Sequence, residues 1–308
     1  MSILVVGNVI KDIYLNLDSR TETFEKDRND TQWLDLSFDA STHRYFNRSS
    51  NYGGAAVTYE CLHKLGLNAL INNSDLNLTQ DGFTTSQAVR DYRYILLADE
   101  APCYFTPTNP VRTHFDIPSS SYDYLYIDRS ASLDQDTINK IIAYSQVSIN
   151  TKLITYAKDI KDPSLLPLIS RSSLVFTESS PSDADSILSA SDSNKLIYLS
   201  DQLIQYGHII EPINPNRKDV FTHLSIYSVA SATILGCFIL GKSVEHSLRL
   251  AKLNVEHSKL NSALTLEELE TLSSTTTEEN LALVARNLVL YPKGILAADE
   301  SGGNIHKK

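Results

Sequence analysis

The residues able to do chemistry fall at three places along the chain. Asp12 closes an apolar run, Ile3-Leu-Val-Val-Gly-Asn-Val-Ile-Lys-Asp12. Gly53 and Gly54 immediately precede a helical stretch, and Arg217-Lys218-Asp219 stand before a longer one. Paired glycines ahead of a helix let a ligand approach the backbone closely and present free N–H groups to its oxygens. Asp12 and the glycine pair would both lie at strand ends, where open α/β sheets bind ligands. The bland readings are that Asp12 caps a turn, that the glycines make a tight loop and that Asp219 caps a helix. Arg217 and Lys218 carry side chains suited to holding a phosphate.

Other chemistries have less support. The eight histidines show no metal-ligand spacing among themselves or with cysteine, and no Gly-x-Ser-x-Gly elbow supports a hydrolase triad. Cys61, Cys103 and Cys237 lie far apart, without a disulfide framework, which fits a reducing, cytoplasmic setting. Tyr122, Tyr124 and Tyr126 alternate as on a strand and are read as core packing.

The elements that must position these residues follow from pattern. With 308 residues, 42% hydrophobic and 21% charged, the chain has material for a large core. A formal charge of -10 without a basic run argues against nucleic acid as a partner. The opening residues lack the form of a signal peptide, and the apolar stretch Ile226–Leu240 is too short to span a membrane, so no membrane partner is expected. Only 11 glycines are present, few for a backbone-built phosphate cradle. Short apolar runs begin at Ile3, Ala69, Tyr124, Lys152, Ser173 and Lys195. Helical patterns span Ala55–Leu65, Leu133–Gln146 with Ser132 as cap, and Ser182–Leu188. Alternation of this kind predicts a doubly wound α/β fold with a mostly parallel sheet. Thr222–His257 reads as an αα-hairpin broken at Gly241, with Ser243 capping its second helix. Leu15–Arg48 is irregular, Tyr94–Phe115 extended and antiparallel in character, and together they suggest a small lid sheet. Residues 1–272 form one domain on this reading, 273–277 a linker and 278–308 the start of another.

The order of elements, the run ending in Asp12 and the segment Asn51-Tyr-Gly-Gly-Ala-Ala-Val-Thr-Tyr-Glu together resemble the ribokinase/PfkB carbohydrate kinases. The resemblance implies a ribokinase-like fold with a reduced lid, and transfer of phosphate from ATP, with magnesium, to a sugar or sugar phosphate. It implies that Asp12, Gly53, Gly54 and Thr58 hold the sugar, Thr58 standing where the family usually has Asn. Asp219 would be the catalytic base and Arg217 and Lys218 the phosphate ligands, although the family's Gly-Ala-Gly-Asp motif is missing; a competing register puts Ser228 at the base position. Glu178 alone could serve in place of the magnesium-organising Asn-x-x-Glu, and Ser200-Asp-Gln replaces the family's glycine turn for the nucleotide. The alternative is a degenerate kinase-fold module that binds sugar phosphate or mediates assembly without turnover.

The terminal run Lys293-Gly-Ile-Leu-Ala-Ala-Asp-Glu-Ser-Gly-Gly is similar to the N-terminal signature of class I fructose-bisphosphate aldolases. That similarity implies a fragment of a (β/α)8 barrel, with Asp299 at the end of its first strand as a proton-transfer residue. The chain reaches Lys308 before the Schiff-base lysine, so the expectation is a piece of a kinase-aldolase fusion in glycolysis. A homo-oligomer stays open.

Overall fold

The computed structural model describes residues 1–17, 45–79, 82–84, 91–97, 103–105, 111–189, 192, 194–214, 220–258 and 263–275. The main sheet has eight strands: β1 (Ser2–Val6), β4 (Asn68–Ile71), β9 (Tyr124–Ile127), β10 (Lys152–Ala157), β11 (Leu174–Thr177), β12 (Leu196–Leu199), β13 (Leu203–Tyr206) and β14 (Ile209–Pro212). Their spatial order is β14-β13-β12-β11-β10-β9-β1-β4. From β4 to β12 every pairing is parallel; β13 and β14 add an antiparallel hairpin at one edge, turned by Gly207 at φ 59°.

Strand alternation explains why the sheet is covered on both faces. Ile3, Val5 and Tyr126 join one core with α1 (Ala55–Lys64), α5 (Val220–Ile239) and α6 (Val244–His257). Leu4, Val6, Leu125 and Ile127 face the other way, onto Ile138, Ile141 and Tyr144 of α2 (Gln135–Val147). The short α3 (Leu166–Arg171) and α4 (Pro181–Ile187) extend that second layer. Period-2 side chains buried on both sides are what a parallel sheet requires. Tyr126 is fully buried, as its place in the strand pattern implies.

Several boundaries differ from the sequence reading. Asp134, rather than Ser132, caps α2, its carboxylate accepting from the Thr137 N–H at 2.9 Å. The Ser132 N–H instead donates to Thr113 Oγ1. Ser243 does cap α6, and Gly241, with φ 76°, separates it from α5. Ser273–Thr275, expected to begin a linker, continue a helix over 266–275 whose start is a capping box between Thr265 and Glu268.

The second sheet has four strands in the order β3-β2-β7-β8, formed by β2 (Val9–Leu17), β3 (Tyr45–Gly54), β7 (Asp91–Leu97) and β8 (Cys103–Phe105). A reduced lid was expected; instead β2 and β3 pair along nine register positions. Their partnership joins segments far apart in sequence, which local pattern cannot reveal. A small hairpin, β5 (Asn77–Thr79) with β6 (Gly82–Thr84), completes the strands. Among the described residues no helix is long and apolar enough to cross a membrane. The expected barrel fragment, with Asp299, lies outside the described residues.

Candidate functional site

In a parallel sheet the carboxyl ends of the strands share one edge, and here that edge gathers two polar clusters. The first begins where the chain leaves β1. The run to Asp12, expected to be one strand, is broken at Gly7–Asn8: β1 ends at Val6, and β2 passes into the second sheet. The break has a steric cause. A Cβ on Gly7 would lie 2.8 Å from both Asp128 Cβ and Ser130 Oγ, so this crossing point accepts only glycine. Asn8 then fixes the exit, its amide donating to the Val111 carbonyl at 2.6 Å and its Oδ1 accepting from Thr113 Oγ1 at 2.8 Å.

Asp12 is therefore buried on β2, not at the end of β1. It pairs in register with Asn51 of β3, two positions from the Ile10–Gly53 pair. Gly53 and Gly54 end β3 and deliver the chain to α1. Gly54 adopts φ 62°, ψ -132°, rarely open to L side chains, and its Cβ position lies 2.4 Å from the Asn8 carbonyl oxygen. The first helical N–H, that of Ala55, donates to that same carbonyl at 2.9 Å. The next N–H groups of α1, on Ala56 and Val57, have no partner within the helix. Thr58 is fully buried and turned inward, its hydroxyl donating to Asp128 Oδ2 at 2.5 Å. Asp128, itself buried, also accepts at Oδ1 from the Ser130 N–H and hydroxyl. Thr58 and Asp128 thus brace α1 against β9, and the threonine hydroxyl is engaged inside the protein.

The second cluster lies past β9, β10 and β11. Arg129 forms a forked ion pair with Glu178, Nε to Oε1 at 2.7 Å and Nη2 to Oε2 at 3.2 Å. Tyr156, on β10, donates its hydroxyl to Glu178 Oε1 at 3.1 Å, and the guanidinium stacks over the Tyr227 ring of α5, 4.6 Å from its centroid. Burial pulls the Arg129 pKa down, but the Glu178 hydrogen bonds and neighbouring charges outweigh it, so the guanidinium is held firmly protonated. Burial and the Glu178 charge push the Tyr156 and Tyr227 hydroxyls up, keeping both protonated. Tyr126 ties α5 to the sheet beside this cluster, donating to Ser231 Oγ at 2.9 Å.

These contacts decide how the implied magnesium fits. Glu178 is where the resemblance would put a metal ligand, yet both its oxygens accept hydrogen bonds from within the protein. No group of three His, Cys, Asp or Glu suited to a metal occurs among the described residues. The described residues do not fit a protein-held magnesium.

Arg217, Lys218 and Asp219 lie outside the described residues. The helix after them begins at Val220, so Ser228 falls in its interior, 7% exposed, not at a helix start. The nucleotide turn expected after β12 is a tight reversal in which Ser200 Oγ accepts from the Gln202 and Leu203 N–H groups. Arg129, Asp128, Tyr156 and Tyr227 were not singled out from sequence. The one available signal was Asp128-Arg129 directly after a buried strand.

No protein-family model matches the chain, and no curated protein matches it in sequence. Solved structures do resemble it in shape. A nucleoside kinase of Methanocaldococcus jannaschii, described as an archaeal member of the ribokinase family, superposes with a TM-score of 0.57 at 17% identity, over 88% of this chain and 98% of that one. Arabidopsis thaliana ribokinase, complexed with ribose and ATP, gives 0.59 at 13% identity, over 88% and 97%. Escherichia coli phosphofructokinase-2, in complex with fructose-6-phosphate, gives 0.55 at 9% identity, over 89% and 98%. The chain has a ribokinase-like α/β fold.

Proposed function

We propose that this chain is a carbohydrate kinase of ribokinase/PfkB type, taking a sugar or sugar phosphate at the carboxyl edge and phosphorylating it from ATP. The observation that carries the reading is the register of β2 and β3, which sets buried Asp12 beside the Gly53–Gly54 entry to α1. Asp12 accepts hydrogen bonds from sugar hydroxyls, and the glycine pair brings ligand oxygens to the start of α1. Asp219, next to the start of α5, is the base that takes the proton of the attacking hydroxyl, and Arg217 and Lys218 meet the phosphates. Thr58 serves by holding Asp128 and α1 in place.

A second reading, a kinase-fold module that binds sugar phosphate or assembles an aldolase without turnover, is favoured by the engaged Glu178. The aldolase-like run around Asp299 makes either form a natural neighbour of an aldolase, because phosphofructokinase product is aldolase substrate. A coupled assay with magnesium-ATP and fructose 6-phosphate, fructose 1-phosphate or free sugars, on wild type and Asp219→Ala, separates the two. Turnover abolished by the substitution supports the kinase. Sugar-phosphate binding with no turnover on any substrate supports the module.

A further inference from the structure

The Arg129–Glu178 pair stands where the sequence resemblance put a magnesium ligand, and its geometry gives it a different task. Four elements converge on it: Arg129 after β9, Tyr156 on β10, Glu178 after β11 and Tyr227 in α5. A guanidinium has five N–H donors in a rigid plane, and Glu178 takes two of them. The Tyr227 face and the Glu178 fork fix that plane. Among the described residues Nη1 makes no hydrogen bond, and the Arg129 side chain is 27% exposed, so the outer edge of the fork is reachable. For a divalent ion to claim Glu178, two charge-assisted hydrogen bonds must break and leave a largely buried guanidinium unpaired.

We propose that Glu178 anchors Arg129 rather than a metal, and that Arg129 is the resident cation of this edge, receiving a phosphate group of the ligand without a divalent ion. The proposal rests on the carboxyl edge being a ligand site, and it concerns the phosphate rather than the sugar half. A phosphate monoester or diphosphate meets the remaining N–H groups of the fork, while Glu178 and Tyr156 keep the guanidinium from turning away.

The test is calorimetric binding of ADP and of fructose 6-phosphate to the full chain, in EDTA and in magnesium. Alongside it, the Arg129 Nε–H resonance is followed in a 15N-arginine-labelled sample. The expected result is binding of at least one probe with affinities within about twofold in the two buffers, and a shifted Nε–H signal on ligand addition. Arg129→Lys keeps a cation beside Glu178 and should keep the fold, checked by melting, yet weaken binding about tenfold because the fork is lost. Binding that appears only with magnesium and vanishes in Glu178→Gln overturns the proposal. So does binding unaffected by Arg129→Lys, or no binding of either phosphate compound. In that last case retained binding of a free sugar would leave the sugar-site reading standing, whereas metal-independent phosphate binding without any sugar binding would sink that reading and uphold this one.

Discussion

The two clusters on the carboxyl edge are built on opposite plans. Around β1, β3 and α1 the site is made of backbone: Gly7 and Gly54 allow chain segments to touch, and the polar side chains of Thr58 and Asp128 bond each other inside the protein. Around β9 to β11 it is made of large side chains, a guanidinium, a carboxylate and two tyrosines. A backbone-built site fails when a single Cβ is added. A side-chain-built site fails when charge is left unmatched, and it can be repaired by a second substitution.

The sharpest way to break this contrast is Gly54→Ala. Its left-handed φ and the 2.4 Å approach to the Asn8 carbonyl act together, for a loss of roughly 3 kcal/mol and a fall in Tm of roughly 6–12 °C. Gly66→Ala is the control, since Gly66 also has positive φ, at 81°, but open space around its Cβ position. It should cost only about 1 kcal/mol. Equal losses in the two variants would show that the close approach at Gly54 contributes nothing.

On the other side, Arg129→Met strips Glu178 of its ion-pair partner and leaves only the Tyr156 hydroxyl. Both side chains keep about a quarter of their exposure, which screens the pair, so the loss should be about 2 kcal/mol rather than the larger figure for a sealed pair. The double variant Arg129→Met/Glu178→Gln should recover most of it. Urea denaturation of the four chains measures the coupling, and losses that simply add would show that the fork is not a unit.

What was legible in the sequence follows the same division. Strand and helix order came through because buried parallel strands and amphipathic helices are local patterns, and β9, β10 and the α5–α6 hairpin fall where periodicity puts them. The glycine pair was legible because glycine before a helix has few other uses. The second sheet came through only as a small lid, because β2 and β3 recognise each other across a long stretch of chain. The Arg129–Glu178 fork was not legible: 49 residues separate its members, and an arginine after one strand carries no mark of the carboxylate after another. Asp12 was assigned to the wrong strand because nothing in Gly7–Asn8 announces the clash with Asp128 that splits the run.

A smaller effect sharpens the account of Thr58. Thr58→Val keeps the shape but removes the donor to Asp128 Oδ2, leaving a buried carboxylate oxygen short of a partner at a cost of roughly 1–3 kcal/mol. Thr58→Ser keeps the hydroxyl and should lose less, through the missing methyl alone. Thermal melts of both variants decide the matter. If serine and valine are equally damaging, the residue acts by packing and the brace between α1 and β9 is not held by this bond.

The smallest expected effect lies two residues further along α1, at Glu60, and it tests whether every polar group turned inward from α1 supports the fold. Glu60 is 3% exposed and accepts from the Ala263 N–H at 3.2 Å. Burial raises its pKa, against the lowering influence of that N–H and of Lys64. Because the folded value lies above the unfolded one, the folded chain holds the proton more tightly. Stability tied to this group is therefore present at low pH and lost as pH rises through the folded value. Glu60→Gln keeps an acceptor for Ala263 but cannot ionise. Relative to wild type it should gain a small amount of Tm at pH 7 and less at pH 4, where Glu60 is mostly protonated in both states. Carboxylates elsewhere titrate alike in the two proteins, so the difference between their melting curves isolates this one. A difference that does not change between the two pH values would mean that Glu60 ionises in the folded chain without penalty, its bond to Ala263 and the nearby Lys64 offsetting its burial.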